Sequence, residues 1–69
     1  MYVIEVEGKY YVDKVVIGTE DSCTAFVGIT ENIDYAILFD GVDGLFVLGF
    51  LQRCDKGVSF RYLEVECDG

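Results

Sequence analysis

Carboxylates are the most abundant side chains in this sequence that could take part in chemistry. The chain of 69 residues carries 13 Asp and Glu against five Lys and Arg, so its formal net charge is −8. Glu5 and Glu7 are two residues apart, as are Glu64 and Glu66, and this spacing puts each pair on one face of a strand. Together with Asp13, they are predicted to form an acidic surface. Rows of carboxylates imitate the charge spacing of a nucleic-acid backbone, although dispersed acids also serve solubility alone.

Catalysis by these carboxylates would need further groups that the sequence does not supply. Paired carboxylates can act as general acid and general base. The chain has no histidine, which removes the usual general base, and its motifs indicate no oriented nucleophile. A domain of this length also has little room for a cleft. We therefore predict that the protein is not an enzyme.

The three cysteines, Cys23, Cys54 and Cys67, are the second group of interest. No CxxC pair is present, so the spacing of a standard zinc motif is missing. The predicted topology nevertheless places Cys23 and Cys54 at one end of the domain. Three carboxylates belong to the same predicted end: Glu20, Asp21 and Asp55. This cluster predicts a Zn2+ ion held by mixed sulfur and oxygen ligands. The alternative is that Cys23 packs in the core of a cytosolic protein and the other thiols are incidental.

Hydrophobic periodicity predicts the elements that must position these groups. The strand patterns cover residues 2–6, 10–17, 23–29 and 58–67, and a helix pattern covers 41–53. The order β-β-β-α-β predicts a single α+β domain over residues 1–69, with a small antiparallel or mixed sheet and one main helix packed on one face. A right-handed crossover through the helix would make the third and fourth strands run in the same direction. If the first and last strands pair in parallel, their four glutamates would line one patch.

The predicted helix is apolar on more than one side. The stripe assigned to the core consists of Val42, Leu45, Phe46, Gly49 and Phe50. The other apolar residues, Val47, Leu48 and Leu51, exceed what so small a core can bury, so they are predicted to contact a partner or a second copy of the chain. Core packing of all these residues is the alternative. Gly44 and Gly49 lower the helix propensity, so a buried strand over 45–51 is a further alternative.

Several segments resemble those of very short proteins from phages and prophages of Gram-positive bacteria. The opening pattern, over residues 2–11, is Tyr-Val-Ile-x-Val-x-Gly-Lys-Tyr-Tyr. It is followed by Thr30-x-Asn32-Ile33-x-x-Ala36, by Phe39-Asp40, and by Phe60-x-x-Leu63-Glu64-Val65-Glu66. The helix departs from this resemblance, because it is apolar where the related helices are polar and charged. Small acidic phage proteins of this size are similar to anti-CRISPR and other anti-defence inhibitors. These inhibitors share a role rather than a motif, so the resemblance implies no site residues.

Charge and resemblance together imply a protein that inhibits another protein by binding it. The expected partner is a basic bacterial protein, most concretely a CRISPR effector nuclease whose nucleic-acid-binding surface would be covered. The excess of acids disfavours direct binding to nucleic acid or to an anionic membrane, and the apolar run 45–51 is too short to span a bilayer. A location in the cytoplasm of the bacterial host is expected, since no signal-peptide pattern opens the chain. The alternative is a small homodimeric structural or regulatory phage protein, which zinc could stabilise.

Overall fold

A computed structural model describes residues 1–18 and 25–66, which form four strands, a short 3₁₀ turn and one α-helix. In chain order they are β1 (Tyr2–Val6), β2 (Tyr10–Ile17), β3 (Ala25–Thr30), the 3₁₀ turn (Ile33–Tyr35), α1 (Gly41–Cys54) and β4 (Phe60–Glu64). The predicted α+β class and the order β-β-β-α-β are therefore confirmed. Within this part of the chain, no helix has the length and apolarity needed to cross a membrane.

The strands form one antiparallel sheet in the order β3-β2-β1-β4. β1 is antiparallel to both of its neighbours, so that Glu5 lies between Tyr11 on β2 and Arg61 on β4. β2 is in turn antiparallel to β3. It follows that β3 and β4 lie at opposite edges and run in opposite directions. The predictions of a parallel pair between β1 and β4, and of a common direction for β3 and β4, are wrong.

The segment between β3 and α1 explains this difference. Residues 31–40 run back along the sheet before the helix begins. The Ile37 N–H donates to the Val12 carbonyl oxygen at 3.0 Å, and Phe39 and Tyr2 exchange two backbone hydrogen bonds of 2.8 Å in an antiparallel bridge. This segment therefore starts α1 at the Tyr2 end of the sheet. The helix returns the chain to the turn between β1 and β2, and β4 starts from there, antiparallel to β1.

Capping explains why α1 begins at the predicted residue. The Asp40 carboxylate accepts backbone hydrogen bonds from Val42 at 3.2 Å and from Asp43 at 2.9 Å, which satisfies two of the N–H groups left open at a helix start. At the other end, the Asp55 N–H donates to the Leu51 carbonyl oxygen at 2.9 Å. The 14-residue helix Gly41–Cys54 agrees with the predicted range 41–53.

The core lies between one face of the sheet and α1. Its buried cluster consists of Ile4, Val6, Val12, Phe50 and Leu51. The register between β2 and β3 shifts between Val12 and Lys14, which makes Asp13 the extra residue of a β-bulge. A bulge changes the alternation of side chains along a strand. As a result Val12 and Val15 both pack on the core, although they are three residues apart.

Phe50 is the one buried residue of the helix stripe that was predicted to pack on the sheet, at 3% exposure. Leu51 is 2% exposed, and Val47 and Leu48 are partly buried against the core. Leu45 and Phe46 are 57% and 58% exposed instead. The assignment of Val47, Leu48 and Leu51 to a partner surface is therefore wrong, because these residues fill the space between helix and sheet.

Gly44 explains why α1 packs on the sheet through Val47, Leu48 and Leu51 rather than through Leu45 and Phe46. It is buried, and a Cβ atom at this position would overlap the hydroxyl and ring of Tyr62 on β4. The missing side chain therefore allows the closest approach of α1 to the sheet. From Gly44 the packed face continues through positions i+3, i+4 and i+7, which are Val47, Leu48 and Leu51.

Candidate functional site

Glu5, the first residue of the predicted acidic surface, is largely buried and forms an ion pair. It lies opposite Arg61 in the β1–β4 register, and its Oε1 is 3.7 Å from the Arg61 Nη1. The Glu5 side chain is only 12% exposed, and its Oε1 makes no hydrogen bond within the described chain. The charge of Glu5 is therefore turned toward a cation of the same sheet rather than toward a partner.

Glu7 and Asp13 also lie outside any common acidic row. Glu7 is in the turn after β1 with a positive φ of 57°, so it does not share a strand face with Glu5. Its carboxylate accepts a hydrogen bond from the Ser59 N–H at 3.1 Å, and its own N–H donates to the Ser59 carbonyl oxygen at 2.8 Å. Asp13 is half-buried at the bulge, with its carboxylate against Gly28. Glu5, Glu7 and Asp13 therefore each have a local structural contact, and they do not form the predicted row of unpaired carboxylates.

Glu64 and Glu66 do belong to a cluster of acids, at the end of the domain where α1 begins. We define the acidic end as Asp34, Asp40, Asp43, Glu64 and Glu66. Glu64 contacts Tyr2, and the charges of Asp40 and Asp43 act on Tyr62, which stacks on Tyr2. Asp34 and Glu66 line one groove beside Val3. None of these five carboxylates forms an ion pair among residues 1–18 and 25–66. The sequence analysis misses Asp34, Asp40 and Asp43, because it does not predict that residues 31–40 return along the sheet and start α1 at this end.

Two stacked tyrosines lie beside three carboxylates of the acidic end, Asp40, Asp43 and Glu64. The rings of Tyr2 and Tyr62 have centroids 4.5 Å apart and planes inclined by 7°. The Tyr62 hydroxyl donates to the carbonyl oxygens of Asp40 at 2.9 Å and Gly41 at 3.3 Å. A hydrogen bond to Glu64, with the charge of that carboxylate, raises the pKa of Tyr2. Burial raises the pKa of Tyr62, and the charges of Tyr2, Asp40 and Asp43 add to the effect.

These raised pKa values predict that the protein loses stability in alkali. A raised pKa in the fold favours the neutral phenol, so its stabilisation is complete below about pH 10, the ordinary tyrosine value, and declines as the pH rises toward the folded value. Urea unfolding between pH 8 and pH 11.5 should show this decline in the free energy of unfolding. Tyr2→Phe should make the decline shallower. The matched control, Tyr35→Phe, changes an exposed tyrosine outside the stack and should keep the wild-type slope; equal slopes for all three proteins would contradict the assignment.

The exposed side of α1 carries an apolar stripe next to the acidic end. Val42, Leu45 and Phe46 are 79%, 57% and 58% exposed and occupy positions i, i+3 and i+4, which places them together on one face of the helix. Gly49 continues the stripe one turn later, and a Cβ there would meet no atom within 4 Å. Asp43 lies in the first turn of the same helix. We call Val42, Leu45 and Phe46 the apolar stripe.

A groove of about 320 Å³ opens beside the start of β1. Its lining residues are Val3, Ile33, Asp34, Ala36, Leu38, Val65 and Glu66. Val3 is fully buried and belongs to β1, whereas Ile33 and Leu38 are 41% and 44% exposed. The groove thus combines apolar walls with two of the five carboxylates of the acidic end.

The predicted zinc site divides between two parts of the chain. Cys23, Glu20 and Asp21 lie outside the described residues. Cys54, in the last turn of α1, packs against the core, and Asp55 is the C-cap. Among residues 1–18 and 25–66, no group of three metal-binding side chains is assembled.

The zinc prediction assumes that β3 begins at the end of the domain where α1 stops, and this assumption is wrong. α1 ends near the turn between β1 and β2, because the residues after it reach Ser59, which bonds to Glu7. β3 begins at Ala25 opposite Ile17, at the other end of β2. The six residue steps from Tyr11 to Ile17 separate these two ends by roughly 20 Å at 3.3 Å per residue.

Comparisons of this chain with protein-family models, with curated proteins and with solved structures found no match. The surface residues themselves therefore carry the functional inference.

Proposed function

We propose that this protein is a non-enzymatic binding module that inhibits a basic protein partner. In its most concrete form it is an anti-CRISPR or related anti-defence inhibitor of phage origin, which occludes the nucleic-acid-binding surface of a bacterial CRISPR effector nuclease. The observation that carries the proposal is the position of the apolar stripe directly beside the acidic end.

The apolar stripe supplies the binding energy in this proposal. Its three large apolar side chains lie on one helix face, and each is more than half exposed. Burial of apolar area contributes about 25 cal/mol per Å², and a few clustered large residues commonly dominate an interface. An exposed cluster of this kind on a small domain is typical of a surface that contacts another molecule.

The acidic end selects the partner. Five carboxylates that form no ion pair in the described part of the chain create a negative potential, and the net charge of −8 extends it. Such a potential attracts a positively charged protein surface and increases the association rate. A surface that binds nucleic acid is rich in Lys and Arg. The proposed partner therefore combines an apolar patch with basic residues around it.

The proposal is tested by inhibition of purified nucleases. We expect stoichiometric loss of both DNA binding and DNA cleavage when the protein is added to the susceptible guide-loaded effector. The double substitution Leu45→Gln with Phe46→Gln should weaken binding to that effector by about 100-fold, since loss of two central apolar contacts costs on the order of 3 kcal/mol. Added salt should slow association without changing the stoichiometry.

A matched control exists on the opposite face of the sheet. Val16 and Phe26 are directly opposed on β2 and β3 and are 46% and 71% exposed. Val16→Gln with Phe26→Gln removes a similar exposed apolar pair far from α1 and should preserve inhibition. If both double variants inhibit equally well, the stripe is not the binding surface. If no CRISPR effector of a broad panel is inhibited, the anti-CRISPR form of the proposal fails.

A second candidate is a homodimer formed through α1, as in a small structural or regulatory phage protein. It is favoured by the spacing of the stripe, and by Arg53, which follows Phe46 by seven residues on the same helix face. In an antiparallel helix pair, Arg53 of each copy would lie near the acidic first turn of the other. Sedimentation equilibrium distinguishes the two candidates: a dimer that the Leu45→Gln, Phe46→Gln variant dissociates supports this one, and a monomeric wild type contradicts it.

A further inference from the structure

The groove beside β1 combines two kinds of lining that a single ligand group could satisfy. Val3 lies at its sheet side, and the segment with Ile33, Ala36 and Leu38 forms one wall. Val65, which follows β4 and donates its N–H to the Met1 carbonyl oxygen at 2.9 Å, belongs to the other wall. The groove therefore lies between the two segments that flank the first residues of β1.

Its two carboxylates, Asp34 and Glu66, belong one to each wall. In the described part of the chain neither makes an ion pair, and no Lys or Arg is among the lining residues. The groove volume of about 320 Å³ is at the small end of the range for ligand pockets. A long, thin group with an apolar stem and a positive head would match both the apolar walls and the carboxylates.

We propose that this groove receives an arginine side chain of the partner. The three methylene groups of arginine pack on apolar surface while the charged head stays at a polar rim. Its guanidinium is weakly hydrated and planar and presents several N–H donors to carboxylate oxygens, whereas the lysine ammonium is strongly hydrated. The inference rests on the proposed function, because it specifies how a basic partner is recognised at the acidic end.

The test uses a short peptide as the probe. Acetyl-Gly-Arg-Gly-amide is titrated into the 15N-labelled full chain, and amide shifts are followed by NMR. We expect saturable shifts confined to residues 33–38 and 65–66, with a Kd in the millimolar range. The same peptide with citrulline in place of arginine has nearly the same shape without the charge, and it should bind at least about tenfold more weakly.

Matched variants separate the groove from the overall charge. Asp34→Asn with Glu66→Gln should abolish the saturable shifts. Glu31→Gln with Asp55→Asn removes two exposed charges outside both the groove and the acidic end and should retain them. Equal binding of the citrulline peptide, or shifts that spread over the surface and respond equally to both variants, would overturn the inference. Such a failure leaves the proposed function intact as long as Leu45→Gln with Phe46→Gln still weakens nuclease inhibition.

Discussion

Leu51→Ala is expected to lower the free energy of unfolding by about 3 kcal/mol, whereas Leu45→Ala should change it by less than about 0.5 kcal/mol. The two leucines are on the same helix, but Leu51 is 2% exposed and Leu45 is 57% exposed. Truncation of a buried leucine loses its transfer energy and leaves a cavity. Truncation at the exposed position costs little, and alanine has the better helix propensity.

The size of this effect matters because the domain is small. Stabilities of about 0.05–0.15 kcal/mol per residue imply roughly 3–10 kcal/mol for a chain of this length. The loss at Leu51 would therefore be about 30% of the total or more. Urea unfolding followed by circular dichroism measures both variants. Equal losses, or a larger loss for Leu45→Ala, would show that the helix is rotated relative to the structure described here.

Local signals explain why the elements could be predicted from the sequence. The alternation in residues 2–6 and 10–17 matches β1 and β2. The turn between these strands contains Gly8 with a positive φ of 69°, a conformation that glycine adopts readily. Asp40 caps α1 through hydrogen bonds with residues two and three positions later. Such interactions span a few positions, so the sequence contains them directly.

The orientation of α1 could not be predicted because its sequence contains two apolar stripes. One runs through Val42, Leu45 and Phe46, and the other through Val47, Leu48 and Leu51. The second stripe begins at Gly44, which adds nothing to a hydrophobic pattern. Its importance arises only from Tyr62, 18 positions later, whose ring lies beneath it. Hydrophobic periodicity does not record a contact of this kind.

The acidic end could not be predicted without the strand register and the direction of the chain. The sequence predicts that Glu5 is a surface charge, but the β1–β4 pairing places Arg61 opposite it. Asp34 and Glu66 are far apart in sequence, and they share a groove because residues 31–40 return along the sheet. The candidate site is therefore a property of the tertiary fold, whereas the excess of acid that motivated it is a property of composition.

Gly44→Ala is expected to destabilise the protein by about 2–3 kcal/mol, although alanine is normally the better helix residue by about 1 kcal/mol. The new Cβ would be 2.6 Å from the Cε1 and Cζ atoms of Tyr62 and would overlap its hydroxyl. The Tyr62 ring cannot easily move, because it stacks on Tyr2 and its hydroxyl bonds to the Asp40 carbonyl oxygen. The helix would have to shift away from the sheet instead.

Gly49→Ala is the matched control on the same helix. A Cβ at Gly49 meets no atom within 4 Å, so this variant should be stabilised by about 0.5–1 kcal/mol through the difference in helix propensity alone. A double-mutant cycle with Tyr62→Leu identifies the cause: the cost of Gly44→Ala should shrink when the smaller side chain leaves room for the new methyl group. If Gly44→Ala is as stabilising as Gly49→Ala, the close packing of α1 on Tyr62 is refuted, and with it the rotation of the helix that exposes Val42, Leu45 and Phe46.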